Sequence, residues 1–350
     1  MPDRPVGASV GVESDDQAGE HQPEEPGLSA GPGRTGSLRA LAARLAGSRP
    51  VRWGFVAVTV GIGVYVLVGH WAAVQLALTK IGFGTAAEAM LCVLLGLAAL
   101  LQMFRVLLGT LGSPLPVRAS AQILFIGQLG KYIPGSVWPV LAQMELAAAH
   151  QVPRRRSASA SILTMLLSLL TGILVGLVML PFSKGAAPYR WVFLFAPVLL
   201  VCLYPALLNR IIDRLLKLAR RPALEQRLTG RAVATALGWG ILMWAFYGLQ
   251  VWLMARPLGL DSGSGALLAI GAFAFAWCAG FLVVFVPAGA GIREYVLLLL
   301  LGPVIGTGAA AAVVLVSRVL MTLGDLVTAG TAAWFARRSR GTAATGNPGS

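Results

Sequence analysis

The chain has 350 residues, 57% hydrophobic and only 12% charged, with a formal net charge of +14. Several apolar runs reach about 20 residues, the length that crosses a bilayer core of roughly 30 Å, so a soluble protein is excluded and an all-α, polytopic integral membrane protein is expected. The runs lack the alternation of an outer-membrane barrel, and most basic residues sit in short connections between them, which argues against nucleic acid as the partner that the charge alone would suggest.

In chain order, residues 1–36 are rich in Gly, Pro, Ser and acidic residues and show no apolar periodicity, so they are expected to form a disordered cytoplasmic tail. This polar stretch ahead of the first apolar run is not a signal peptide. Residues 37–52 space apolar and arginine positions as an amphipathic juxtamembrane segment that would lie on an anionic leaflet. The membrane domain is expected over 53–336, followed by a basic cytoplasmic tail over 337–350. Cys92, Cys202 and Cys278 lie inside apolar runs without ligand spacing; they read as small hydrophobes, and no metal or cofactor is expected.

Six full spans are predicted: Trp53–Ala72, Glu88–Leu108, Ser157–Leu180, Arg190–Leu208, Ala232–Met254 and Gly308–Trp334. Two further apolar segments, Ala119–His150 and Gly265–Leu301, are interrupted by Lys131-Tyr132-Ile133-Pro134-Gly135-Ser136 and by Val286-Pro287-Ala288-Gly289-Ala290-Gly291-Ile292-Arg293-Glu294.

The loop charges set the topology. Arginines before Trp53 place the N-terminus in the cytoplasm, and two crossings return the chain to Arg118. The segment from Ala119 starts inside and ends beside Arg154-Arg155-Arg156, which also belongs inside, so it reads as a re-entrant hairpin and not as a crossing. By the same reasoning Gly265–Leu301 dips in from outside, and the last span delivers Arg337, Arg338 and Arg340 to the cytoplasm. Span, re-entrant hairpin and span therefore occur twice with opposite orientation, an inverted repeat of the kind that builds transporters.

At each break proline removes a backbone donor and glycine permits a reversal, so polar backbone is freed where hydrocarbon cannot satisfy it. A half-helix restarting at Gly135 or Gly289 would point its unpaired N–H groups at an anion, and Lys131 and Arg293 would reinforce that site. Alternatively, Lys131 and Arg293 pair with Glu145 and Glu294, or with carbonyls, and merely hold the hairpins. Tyr132 and Trp138 flank the first tip as interfacial anchors or as a wall for a headgroup. Arg318 and Asp325 lie two turns apart on one face of the last span, and the partner of Arg318 is Glu145, Glu294 or Asp325. Arg105 is placed to snorkel, Gln122, Gln128, Gln143 and Gln250 read as interhelical glue, and His70 and His150 read as incidental.

These residues resemble the transmembrane flippase-like domain family, the membrane region of bacterial lysylphosphatidylglycerol synthases and of stand-alone relatives. The resemblance rests on Gly130-Lys131-Tyr132-Ile133-Pro134-Gly135 with Trp138 and Glu145, on Pro287-Ala288-Gly289-Ala290-Gly291-Ile292-Arg293-Glu294, and on Arg318 to Asp325. It implies movement of lipids between the leaflets of a bacterial plasma membrane, with membrane lipids as partners: an anionic phospholipid or a polyprenyl-phosphate-linked substrate. Both termini would be cytoplasmic. Unlike the synthases, the chain has only a short basic tail after Trp334, so it is not expected to be an aminoacyl-lipid synthase itself. Its first tip reads Pro-Gly-Ser-Val-Trp where many members place an arginine, a glycine and a glutamate.

The leading expectation is a flippase-like transporter, not an enzyme, that holds a headgroup phosphate at the re-entrant tips. The sequence contains no phosphate-binding Gly-x4-Gly-Lys-Ser/Thr loop to power it. The alternatives are a membrane-embedded lipid or polyprenyl-phosphate transferase, and a non-transporting scaffold for a partner enzyme.

Overall fold

The computed structural model describes residues 68–69, 71–132, 138–183, 227–260, 263–283, 289 and 291–344, with isolated positions between 194 and 214. The tail, the amphipathic segment, most of the spans expected at 53–72 and 190–208, and tip residues Pro134, Gly135 and Pro287 lie outside the described residues.

Eight α-helices follow one another among the described residues: α1 (Trp71–Thr110), α2 (Val117–Ala121), α3 (Trp138–Ala148), α4 (Arg154–Met179), α5 (Gly230–Ala255), α6 (Gly263–Leu282), α7 (Ile292–Ile305) and α8 (Thr307–Ala344). Five of them, α1, α4, α5, α6 and α8, are long and apolar enough to cross a membrane. The chain is thus an all-helical, multi-pass membrane protein.

The spans expected at Glu88–Leu108, Ala232–Met254 and Gly308–Trp334 fall within α1, α5 and α8, and Ser157–Leu180 matches α4 except for Leu180, which opens a 3-10 turn. The first of these boundaries differs from expectation, because α1 begins at Trp71 and absorbs the stretch expected to connect two spans. Gly82 breaks its helical geometry with φ 62° and ψ 163°, a conformation that glycine reaches without the Cβ clash other residues meet. Val74 and Ala77 before the break pack on Ala312 of α8 and on Leu258, which makes helix favourable in a segment whose glycines suggest a loop.

The bundle core is made by α1 against α5. Glycines allow close crossings there, as membrane helix interfaces require: a Cβ on Gly96 would collide with the Tyr247 ring, and one on Gly248 with Ile270. Trp244 is fully buried and donates its indole N–H to the Ser168 carbonyl at 3.2 Å and to Thr171 Oγ1 at 3.0 Å, tying α5 to α4.

Basic residues mark one end of this bundle. Arg156, in the first turn of α4, donates to the Gly112 carbonyl after α1 at 3.0 Å. The Arg118 guanidinium of α2 lies 5.3 Å from the Phe335 ring of α8, and Arg338 lies 4.0 Å from Trp334. The start of α1, the end of α5 and the start of α8 meet at the opposite end, around Val74, Leu258 and Ala312.

Two helical hairpins, their connecting breaks largely outside the described residues, pack against this frame. In the first, α2 continues through a π-helical turn at Gln122–Ile126 and a 3-10 turn at Leu129–Tyr132, and α3 returns alongside. Its mouth is closed at the basic end by His150 Nε2 and Gln122 Oε1, 3.0 Å apart. Its arms touch through Gly130, where a Cβ would sit 2.9 Å from Pro139 N.

In the second hairpin α6 leads in and α7 leads back, joining α8 through Gly306. Gly289 and Gly291 take φ of 65° and 86°, and Gly289 lies against Gly280, so the turn depends on glycine. The 20 residues of α6 span about 30 Å, so this arm is longer than a half-helix. The 14 residues of α7 span about 21 Å, short of a crossing.

The packing has a two-way correspondence. The first hairpin's leading arm rests on α8 and its return arm α3 on α4, while α6 rests on α4 and α7 on α8. Likewise α1 touches α8 as α5 touches α4.

Candidate functional site

The described residues beside both breaks meet α8. Helical spacing puts Arg318, Thr322 and Asp325 on one face, with Arg318 and Asp325 about 10.5 Å apart along the axis. At the first tip Lys131 Nζ lies 2.6 Å from Asp325 Oδ2, and the Tyr132 hydroxyl donates to the same oxygen at 2.6 Å. Thr322 lies beside the Tyr132 hydroxyl. Asp325 is only 5% exposed, so these two donors offset what would otherwise be an expensive buried carboxylate.

At the second tip Glu294 has two tasks. One carboxylate oxygen accepts the N–H of Gly291 at 2.5 Å, capping α7 as a third-position glutamate does. The other accepts from Arg318 at 3.1 Å, fastening the tip to α8. The helix therefore restarts at Ile292 and not at Gly289, and its N-cap N–H on Gly291 is held by the protein's own glutamate.

Arg293 is the third cation. It is 8% exposed, and its guanidinium stands 4.5 Å from the face of Phe273 in α6. Glu294, Arg318, Asp325 and the buried Tyr247 all lie within its electrostatic reach. Among the described residues no carboxylate or hydrogen-bond acceptor engages it. A cation–π contact contributes about 0.5–2 kcal/mol, against several kcal/mol to desolvate an ion, so the aromatic face alone does not offset the burial.

The structure brings Lys131, Tyr132, Gly289, Gly291, Arg293, Glu294, Arg318 and Asp325 into two adjoining clusters. Trp138 opens α3 beside the first tip, half exposed. It does not bring Glu145 to them, since Glu145 pairs on the surface with Arg154 at 2.8 Å, near the basic end. Of the three partners open to Arg318, it takes Glu294. Gln250 bridges α5 to α8 by donating to Ser317 Oγ at 2.7 Å, and Arg105 bonds Gln102 at 2.6 Å. Sequence reasoning missed Phe273, Tyr247 and Thr322. The first two are ordinary aromatics in apolar runs, whereas Thr322, midway between Arg318 and Asp325 on their face, carried a readable signal.

Residues 54–328 match the family described as the lysylphosphatidylglycerol synthase TM region. The chain belongs to this family. No curated protein matches it. The lysylphosphatidylglycerol synthase TM region is the membrane part of those synthases and not their catalytic part, and membership links the chain to lipid modification or transport. The match runs from before α1 into α8 and takes in both hairpins and both ion-paired clusters.

Proposed function

We propose that the chain is a flippase-like transporter that moves an anionic lipid, or a lipid-linked headgroup, between leaflets. One observation supports this above the rest: hairpins starting from opposite ends of the bundle bring charged tips to one face of α8. Ionisable groups at such depth are costly unless they serve a pathway or a counter-ion. A site reached from both ends is what alternating access requires.

The architecture is read as an inverted repeat, α1 to α4 and α5 to α8, each with one re-entrant hairpin. With α6 read as an arm of the second hairpin, α1, α4, α5 and α8 together with 53–72 and 190–208 make six full spans. The positive-inside rule sets the basic end, and both termini, in the cytoplasm of a bacterial plasma membrane. Lys131, Tyr132, Trp138, Arg293, Glu294, Arg318 and Asp325 line the headgroup path, and the prolines and glycines of the tips shape it. A partner enzyme would make or consume the lipid.

The test is translocation of a fluorescent phospholipid in vesicles carrying the purified chain. Lys131→Ala and Arg293→Ala should each slow transport about tenfold or more while the protein stays folded, the loss expected when one charge-assisted contact is removed. A wild-type protein that moves no lipid refutes the reading, and conversion of labelled lipid without translocation would favour a transferase.

A further inference from the structure

Where α8 reaches the basic end of the bundle it carries a surface that the proposed pathway does not use. Trp334 and Phe335 are 48% and 39% exposed, and their rings meet edge to face with centroids 4.9 Å apart. An arginine rests on each ring: Arg338 of α8 lies 4.0 Å from Trp334, and Arg118 of α2 lies 5.3 Å from Phe335. Both arginines are exposed, and among the described residues no carboxylate meets Arg118. A guanidinium resting on a ring still has its edge N–H groups to offer to phosphate.

From this cluster an exposed apolar stripe runs back along α8 through Val327, Leu326, Leu323, Val319 and Leu315. Between Leu315 and Trp334 it is about 28 Å long, close to the thickness of a bilayer core, so the cluster lies at headgroup level and the stripe among acyl chains. The stripe has a notch at Gly330, where a Cβ would meet no atom within 4 Å. The positive-inside bias explains the sign of the charges, but not the seating of two of them, from two helices, on touching rings above such a stripe.

We infer that this surface holds a resident lipid with two phosphates, a diphosphatidylglycerol-type anion of the leaflet at the basic end, that is bound and not moved. One phosphate is taken by Arg118 and the other by Arg338, the ring pair lies between them, and an acyl chain fills the notch at Gly330. The lipid thereby fastens α2, at the foot of the first hairpin, to α8, just as Lys131 and Tyr132 fasten the far end of the same arm to Asp325. Trp334 is about 24 Å along α8 from Arg318, so this seat is separate from the ion-paired clusters and does not depend on the transport reading.

The experiment measures dissociation constants for added lipid by native mass spectrometry of the full chain in detergent. Diphosphatidylglycerol should bind at least about tenfold more tightly than phosphatidylglycerol, and phosphatidylcholine should bind too weakly to measure. Arg118→Gln and Arg338→Gln should each lose about tenfold or more in diphosphatidylglycerol affinity, and Arg118→Lys, a point charge without the planar fork, should lose less than Arg118→Gln. Gly330→Leu separates a lipid seat from a merely basic surface. It keeps every charge, clashes with nothing and favours helix, so the protein should fold at least as well, yet affinity should fall about tenfold because the notch is filled.

Equal affinity for the one-phosphate and two-phosphate lipids, or unchanged affinity in folded Arg118→Gln or Gly330→Leu protein, would overturn the proposal. Inorganic diphosphate stands in for a free ion and polyglutamate for an acidic protein. If either displaces bound diphosphatidylglycerol as well as excess lipid does, the lipid assignment fails; if neither does, it is supported.

Discussion

Asp325 accepts from Lys131 and Tyr132 on one oxygen, and this shared acceptor makes its loss unlike the loss of either donor. Asp325→Asn should destabilise the protein by about 1–3 kcal/mol, because a cation loses its counter-charge in a partly buried place. Lys131→Met should cost less, since Lys131 is 31% exposed and Asp325 would keep the Tyr132 hydroxyl. The measurement is thermal unfolding in detergent, and a Lys131→Met protein less stable than Asp325→Asn would contradict this ordering. Charge inside apolar runs marked Lys131, Arg293, Glu294, Arg318 and Asp325 as candidates, because ions are rare there. Their pairing was not legible. Depth decides it: Glu145 sits late in α3, close to the basic end, and finds Arg154, while Glu294 opens α7 at the level of Arg318.

At the scale of elements, the second turn hinges on glycine in a way that a methyl group would expose. A Cβ on Gly289 would sit 3.0 Å from Gly280 Cα, at a φ of 65° that L side chains disfavour, so Gly289→Ala should cost about 1–2 kcal/mol or more. The reverse contact, Gly280→Ala, meets its nearest atoms at 3.3 Å with no unfavourable φ and should cost less. Unfolding temperatures of the two variants check the order. Proline and glycine made both breaks visible in the sequence, but they said little about arm length. The 20 residues of α6 and the early start of α1 follow from tertiary packing, which keeps helix going past Gly82 once Val74 and Ala77 find Ala312.

For the whole molecule, the distribution of arginines was the most readable signal, because it needs only the sign of each loop. The structure gathers Arg118, Arg156 and Arg338 at one end with the mouth of the first hairpin, and the mouth of the second lies at the other. Single cysteines in a background lacking Cys92, Cys202 and Cys278 test the corresponding membrane topology. Ser113→Cys and His150→Cys should react with an impermeant reagent from the cytoplasm, and Gly263→Cys and Gly306→Cys from outside. If the two sites of either pair react from opposite faces, that segment crosses the membrane and the mirrored arrangement fails.

Both fastenings sit on a single rod. Because α8 is continuous through Arg318 and Asp325, rotating or sliding it strains the clasp of the first hairpin and the clasp of the second together. Release of one clasp is therefore felt at the other through a stiff mechanical link.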